Sequence, residues 1–347
     1  MSEAESAKEH ALPEPVSESP PTELDRPVVR WRMASAYPIS LPQLGSQALR
    51  VERNIWEVSD GGIEILLFEP DTLVPTSQIF DAVASGTIDA AFASSKFWSD
   101  KEPSLRLFSA IPFGPQPGEF LAWIYFGGGQ DLLNEIYQPL GVHSVICGMI
   151  APESSGWYRR RFTTPDDLKG LRMHASGLGA KVLNKIGVQT HKLKAYNIFL
   201  ALENGEIDAA QFSMPVIDLK LGFNELASHY YFPGWQQPSS FIELIVNKSH
   251  WEALSKARKS QIEAVCGDNV RYGLAEGEAL QFHALKELTA RGVKIHRWPS
   301  SILLALKSAW KVVVSEQSAA DANFKRVWRS LSDFRNDYTI WKELTRP

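Results

Sequence analysis

Cysteine is nearly missing from this sequence, with only Cys147 and Cys266 among 347 residues. Two are too few for a disulfide scaffold, and they form no C-x-x-C or Cys/His metal spacing. With no histidine beside either, both read as core thiols rather than nucleophiles. An excess of positive charge is missing too. Lys plus Arg number 36 against 40 Asp plus Glu, a net charge of −4, which argues against a nucleic-acid coat. No uninterrupted apolar run reaches the roughly 18–20 residues that span a bilayer. Neither G-x-S-x-G, H-E-x-x-H nor Walker A occurs, and the eight histidines are scattered without metal-pair spacing. A membrane-spanning chain, a zinc module and a disulfide-rich toxin are excluded, and an enzyme finds little support. No basic segment followed by an apolar one opens the chain, so no secretory leader is visible.

The charge that is present is uneven. Residues 1–29 carry seven acids, two bases and five prolines, and no aromatic. A segment this polar cannot bury enough surface to offset its ordering entropy, so residues 1–28 read as a disordered acidic tail. Without its −5, the remaining chain stands near +1.

From Val29 the pattern becomes globular. A strand is expected from Arg30 to Ser35, a helix from Leu44 to Val58, a turn at Ser59-Asp60-Gly61-Gly62 and a strand from Ile63 to Phe68. Alternation of this kind continues, which gives an α/β architecture with mostly parallel sheets. Gly127-Gly128-Gly129 lacks dinucleotide-motif spacing and reads as a loop before a helix at Asp131–Tyr137. The stretch from Trp251 to Arg291 has helical periodicity, though Gly267, Gly273 and Gly277 count against one unbroken helix. Gly292 then caps it, a strand follows at Val293–Trp298, and residues 301–345 form one or two helices.

An internal repeat is the most informative feature. Ile79 to Ser94 matches Ile198 to Ser213 at nine of sixteen positions without a gap, about 119 residues apart. Each copy reads as a helix, a left-handed glycine (Gly86, Gly205) and a buried strand opening Ile-Asp-Ala-Ala. A period that long fits two lobes of like topology rather than a solenoid. Ligands of open α/β sheets sit beyond the carboxyl ends of strands, so Phe92–Phe97 and Gln211–Met214 should face a cleft between the lobes.

Several segments then point to one family. They are Trp31-Arg32-Met33, Leu73-Val74-Pro75, Pro112-Phe113-Gly114, Tyr125 to Gly129, Gly156-Trp157, Thr164-Pro165-Asp166-Asp167-Leu168-Lys169-Gly170-Leu171, Gly177-Leu178-Gly179 and Tyr231 to Trp235. In this order the sequence resembles the extracytoplasmic solute receptors of TRAP transporters. Within them it looks like the subgroup that binds 2-oxo acids or lactate, sometimes with a metal cation. The resemblance spans about residues 29–345. It implies a two-lobed periplasmic-binding-protein-like α/β fold with a hinged cleft, a long spanning helix and C-terminal helices. Lobe I would take 29–147 and about 214–250. Lobe II would take 148–213 and about 251–300 with the spanning helix, leaving 301–347 as C-terminal helices that serve dimerisation. It further implies a receptor without catalytic cofactor that hands a small organic acid to TRAP permease subunits in the periplasm. No nucleic-acid partner is implied. A soluble ligand sensor on the same fold, or less plausibly an enzyme, is the alternative.

At the site the sequence departs from the family pattern. His174 stands where the family carries a carboxylate-gripping arginine. A histidine in that role must be protonated, so carboxylate affinity should then strengthen as pH falls from about 8 to 6. Arg172, two residues earlier on the same strand face, is one substitute, and Lys96, beside Phe97 and Trp98 on the opposite lobe, is another. The family's acid–tryptophan pair is Gln211-Phe212 here, while a family glutamine position reads Glu153, as if one carboxylate had crossed the site. A sodium or calcium ion would be held by Glu153, Gln211 and Gln237. Lys96, Phe97, Glu153, Arg172, His174, Gln211, Phe212 and Gln237 are thus the expected ligand-binding residues. A homodimer is expected as well, because Trp310, Trp328, Phe334 and Trp341 give the terminal segment a large aromatic load.

Overall fold

The computed structural model describes residues 28–345, so the expected tail lies almost wholly outside the described residues. The strands are β1 (Val29–Ser35), β2 (Ile63–Phe68), β3 (Ala90–Ala93), β4 (Val142–Ile150), β5 (Gly156–Tyr158) and β6 (Arg172–His174). β7 (Gln189–His191), β8 (Ala209–Ala210), β9 (His229–Phe232), β10 (Ser240–Asn247) and β11 (Lys294–Arg297) complete them. Helices α1 (Gly45–Val58), α2 (Ile79–Ala84), α3 (Pro117–Phe126), α4 (Gly129–Tyr137) and α5 (Gly177–Lys185) lie in the first half. They are followed by α6 (Ala195–Glu203), α7 (Pro215–Lys220), α8 (Lys248–Glu252), α9 (Lys256–Ala290), α10 (Ser300–Ala320) and α11 (Ala322–Thr345).

Two sheets form, in the orders β2-β1-β3-β10-β4 and β11-β9-β5-β8-β6-β7. Both are mostly parallel, as expected, with one strand reversed in each. β1, β2 and β3 run parallel, as do β6, β7 and β8, but β10 is antiparallel to β3 and β4, and β5 to β8 and β9. The reason lies in the crossings between sheets. Strands β4 and β9 end at the cleft, so β5 and β10, which start there, must run the other way. β9, within the 214–250 stretch expected in lobe I, pairs in the second sheet. α9, expected with lobe II, packs along β4 and α1 of the first sheet's layer as well as α7.

The repeat appears twice in the fold, as α2–β3 and α6–β8. Gly86 and Gly205 take φ +77° and +71°, the left-handed turn that glycine adopts without strain. Even the repeated aspartate has one job. Asp89 accepts the Arg32 backbone N–H at 2.8 Å and Asp208 the Arg172 N–H at 3.2 Å, each tying a helix–strand turn to a neighbouring parallel strand.

α9 runs unbroken for 35 residues, about 52 Å at 1.5 Å per residue. Its glycines do not interrupt it because two of them permit close packing. A Cβ on Gly273 would lie 2.4 Å from Gln47 Oε1, and one on Gly277 2.6 Å from the Ala151 Cβ. The cysteines are also corrected here: Cys147 of β4 and Cys266 of α9 are joined in a disulfide, both fully buried. Asn269 Nδ2 adds a 2.6 Å bond to the Cys147 carbonyl.

Residues 301–345 resolve into two helices. Their aromatics are not all free for a partner: Trp310 stacks edge-on to Trp328 at 5.5 Å, and Phe334 packs against Gly127. Ile340, Trp341 and Leu344 remain 60–80% exposed at the end of α11.

Candidate functional site

Strands β1, β3, β4, β6 and β8 end towards the same space, and the residues just beyond them line it. β3 leads into the turn Ser95–Trp98, which carries Lys96 and Phe97 from the first sheet. Solvent reaches Lys96, yet protein walls it in, with Nζ 5.8 Å from the Tyr37 ring centroid and 5.6 Å from that of Phe97. That enclosure lowers the Lys96 pKa, and Glu153, on the crossing from β4 to β5, opposes the shift.

Glu153, beyond β4, is 5% exposed. Burial pushes its pKa up to about 8, with Lys96 pulling it down and Asp218 pushing it further up. Ser213 Oγ donates to Glu153 Oε1 at 3.3 Å. Its Oε2 has no partner, and the buried Gln237 Nε2 and Tyr37 Oη have none either. Gln237 adjoins Glu153 through the Glu153 N–H, which donates to the Gln237 carbonyl at 3.4 Å. Gln211 follows β8, its N–H donating to the His174 carbonyl at 3.0 Å, and its side chain acts to lower the Glu153 pKa. Buried polar groups without partners are costly and rare. Three such atoms lie close together here.

Of the expected residues, Lys96, Phe97, Glu153, His174, Gln211 and Gln237 come together. Phe212 lies beside them, with its ring 5.9 Å from Phe223. Arg172 does not join them. Its Nε and Nη2 bind Asp208 at 3.0 and 2.7 Å, so the guanidinium fork is already occupied.

His174 is in place but not as a cation. Its Nδ1 lies 3.1 Å from both the Leu193 N and the His191 carbonyl oxygen, accepting from the one or donating to the other according to the tautomer. Burial, with Lys96 adding to it, lowers the His174 pKa to about 4, despite the His191 carbonyl. Without a ligand the ring is neutral from pH 6 to 8, and Lys96 is the cationic side chain that acts on both His174 and Glu153.

Reasoning from sequence missed Tyr37 and Asp218, and reached Ser213 only as part of the 211–214 stretch. Tyr37 sits two residues past β1, the position that the repeat argument singled out after β3 and β8. Its hydroxyl is driven well above the usual tyrosine range by burial and then by Glu153. Asp218 is fully buried and accepts from Tyr230 Oη at 2.8 Å, Trp157 Nε1 at 3.0 Å and the Ser213 N–H at 3.1 Å. Among the described residues no three His, Cys, Asp or Glu side chains cluster as a metal site. A cation here must therefore be held by one carboxylate and amide oxygens. The unpartnered Glu153 Oε2 fits a hard cation of that kind.

Residues 40–321 match the DctP family, described as bacterial extracellular solute-binding protein, family 7. The monocarboxylate 2-oxoacid-binding periplasmic protein of Nostoc sp. strain PCC 7120 is 33% identical over 319 residues, which cover 92% of this chain and 87% of that protein. A TRAP transporter solute-binding protein from Bordetella bronchiseptica RB50, solved as a mixed-occupancy dimer with copurified calcium and picolinate, shares 34% identity and a TM-score of 0.88 over 92% of this chain and 95% of that one. A TRAP periplasmic solute-binding protein from Pseudoalteromonas atlantica T6c, with bound sodium and pyruvate, shares 27% identity and a TM-score of 0.86 over 92% and 97% of the two chains.

Proposed function

Since this chain belongs to the bacterial extracellular solute-binding proteins of family 7, we propose that it binds a small 2-oxo or hydroxy acid in the cleft and releases it unchanged to TRAP permease subunits. One observation carries this reading. Lys96 and three unpartnered buried polar atoms, on Tyr37, Glu153 and Gln237, come close together where the chain crosses between the sheets. A carboxylate entering that space regains in charge-assisted bonds what it loses in hydration. Lys96 is its cationic partner, Tyr37 Oη supplies a donor, the neutral His174 ring hydrogen-bonds according to its tautomer, and Phe97 and Phe212 give an apolar wall.

Glu153, Gln211 and Gln237 would hold a sodium or calcium ion beside the ligand. Such an ion supplies positive charge to the oxygens of a 2-oxo acid and takes up the charge of an ionised Glu153.

The buried disulfide supports export. Disulfides persist in oxidising compartments such as the periplasm and are rare in the cytosol. The exposed apolar end of α11 supports a homodimer. The test is a thermal-shift series with pyruvate, lactate and 2-oxobutyrate, each with sodium, with calcium and with chelator. Ligand at 100 Kd stabilises the native state by about 2.7 kcal/mol, a readily measured shift. Absence of any shift, or conversion of a hit into product, refutes the proposal.

A further inference from the structure

Phe113 has φ +52°. It is the sole aromatic among the described residues with positive φ, and for a bulky side chain this is a genuine outlier. Such a conformation persists only where its surroundings over-determine it. Here they do so from two sides. On one, the Phe113 N–H donates to the Trp235 carbonyl at 2.6 Å and the two rings stack with centroids 5.6 Å apart. On the other stands Arg335 of α11. Its Nη1 donates to the Phe113 carbonyl at 3.0 Å, its Nη2 to the Gly114 carbonyl at 3.2 Å and its Nε to Glu119 at 2.8 Å. One guanidinium thus closes the turn at two consecutive carbonyls, using the planar fork that lysine lacks.

From Trp235 the contacts continue to the cleft. Gln236 Nε2 donates to the Ser154 carbonyl at 2.6 Å, the Gly234 N–H to the Glu153 carbonyl at 3.1 Å and the Glu153 N–H to the Gln237 carbonyl at 3.4 Å. We infer that Arg335 is a positioning residue for the ligand site: by holding the Phe113 turn it fixes Trp235, and with it the 233–237 segment that sets Gln237 against Glu153. Arg335 lies beyond residue 321, where the family match ends. The last helix is thereby part of the binding apparatus as well as an outer layer. This inference rests on the proposed reading of Glu153 and Gln237 as ligand-facing residues.

The experiment compares Arg335→Gln, Arg335→Lys and Glu119→Gln with wild type in the full chain. Hydrogen exchange is read peptide by peptide without ligand, and pyruvate binding by calorimetry with calcium chloride present. Arg335→Gln is expected to speed exchange in 111–116 and in 233–238, and to weaken pyruvate about tenfold, the loss expected of one charge-assisted hydrogen bond. Arg335→Lys falls between. Glu119→Gln leaves both carbonyl contacts and so leaves both readouts near wild type. Arg335→Gln with wild-type exchange in 233–238 overturns the inference. So does Glu119→Gln matching Arg335→Gln, since Arg335 would then only dock its helix. Wild-type protein that does not bind pyruvate counts against the proposed ligand, while the exchange data still decide the role of Arg335.

Discussion

Arg172 grips Asp208 through two nitrogens, at 3.0 and 2.7 Å, and the other copy of the repeat places Arg32 against Asp89, with Nε 3.6 Å from Oδ2. The pairing belongs to the helix–strand unit itself. It follows that Arg172→Lys leaves pyruvate affinity within about twofold of wild type, as is usual away from a binding contact. Lys96→Gln, by contrast, removes the cation of the site and should cost a hundredfold or so, the upper range for a hydrogen bond to a charged group. Calorimetry on the two variants compares them directly.

Calcium affinity should depend on pH through Glu153. With a pKa of about 8, the carboxyl holds a proton at pH 7 that the cation must displace. Affinity should therefore rise with pH, by up to tenfold per unit, and level off above about pH 8. Glu153→Gln should abolish both the slope and the proton release. Because His174 is neutral throughout pH 6–8, it adds no slope of opposite sign.

The same carboxyl costs stability in the empty protein. Below about pH 4.5 folded and unfolded chains both keep the proton. Between 4.5 and 8 only the unfolded chain releases it, so relative stability falls with rising pH until about pH 8, and the loss is then complete. Glu153→Gln should accordingly raise the melting temperature at pH 9 and not at pH 4. A rise of about 1–2 °C corresponds to 1 kcal/mol in a chain of this size. Equal effects at both pH values would refute this.

Replacing Cys147 and Cys266 with alanine removes a cross-link between residues 119 apart. A loss of about 2–5 kcal/mol in unfolding free energy is expected. Thiol titration of the protein from an oxidising compartment, under denaturant, should find no free cysteine.

Light scattering at micromolar concentration should give twice the chain mass of 38.8 kDa. Trp341→Glu combined with Leu344→Glu should return the mass to that of one chain, because charge replaces the exposed apolar end of α11.

Much of the fold could be read beforehand from periodicity and glycine placement. The helix at 45–58, the strand at 63–68 and both copies of the repeat lie where local pattern put them. The reversed directions of β5 and β10 could not be read, since both follow from where the chain crosses between sheets. The continuity of α9 was hidden because Gly273 and Gly277 answer to Gln47 and Ala151, contacts that helix propensity ignores. The site was legible where residues follow repeated strands, as Lys96 and Gln211 do. Arg172 misled because its partner Asp208 is 36 residues away. Cys147 and Cys266, 119 residues apart, gave no local sign of pairing for the same reason.

A receptor that opens and shuts needs one part that keeps still. Cys147 and Cys266, with Asn269 beside them, rivet the first sheet to α9 before that helix reaches the second. In the proposed receptor the first sheet and the early turns of α9 would act as a stator. Release of the ligand would fall to the second sheet, swinging like a jaw on the strand crossings and on the far length of the helix.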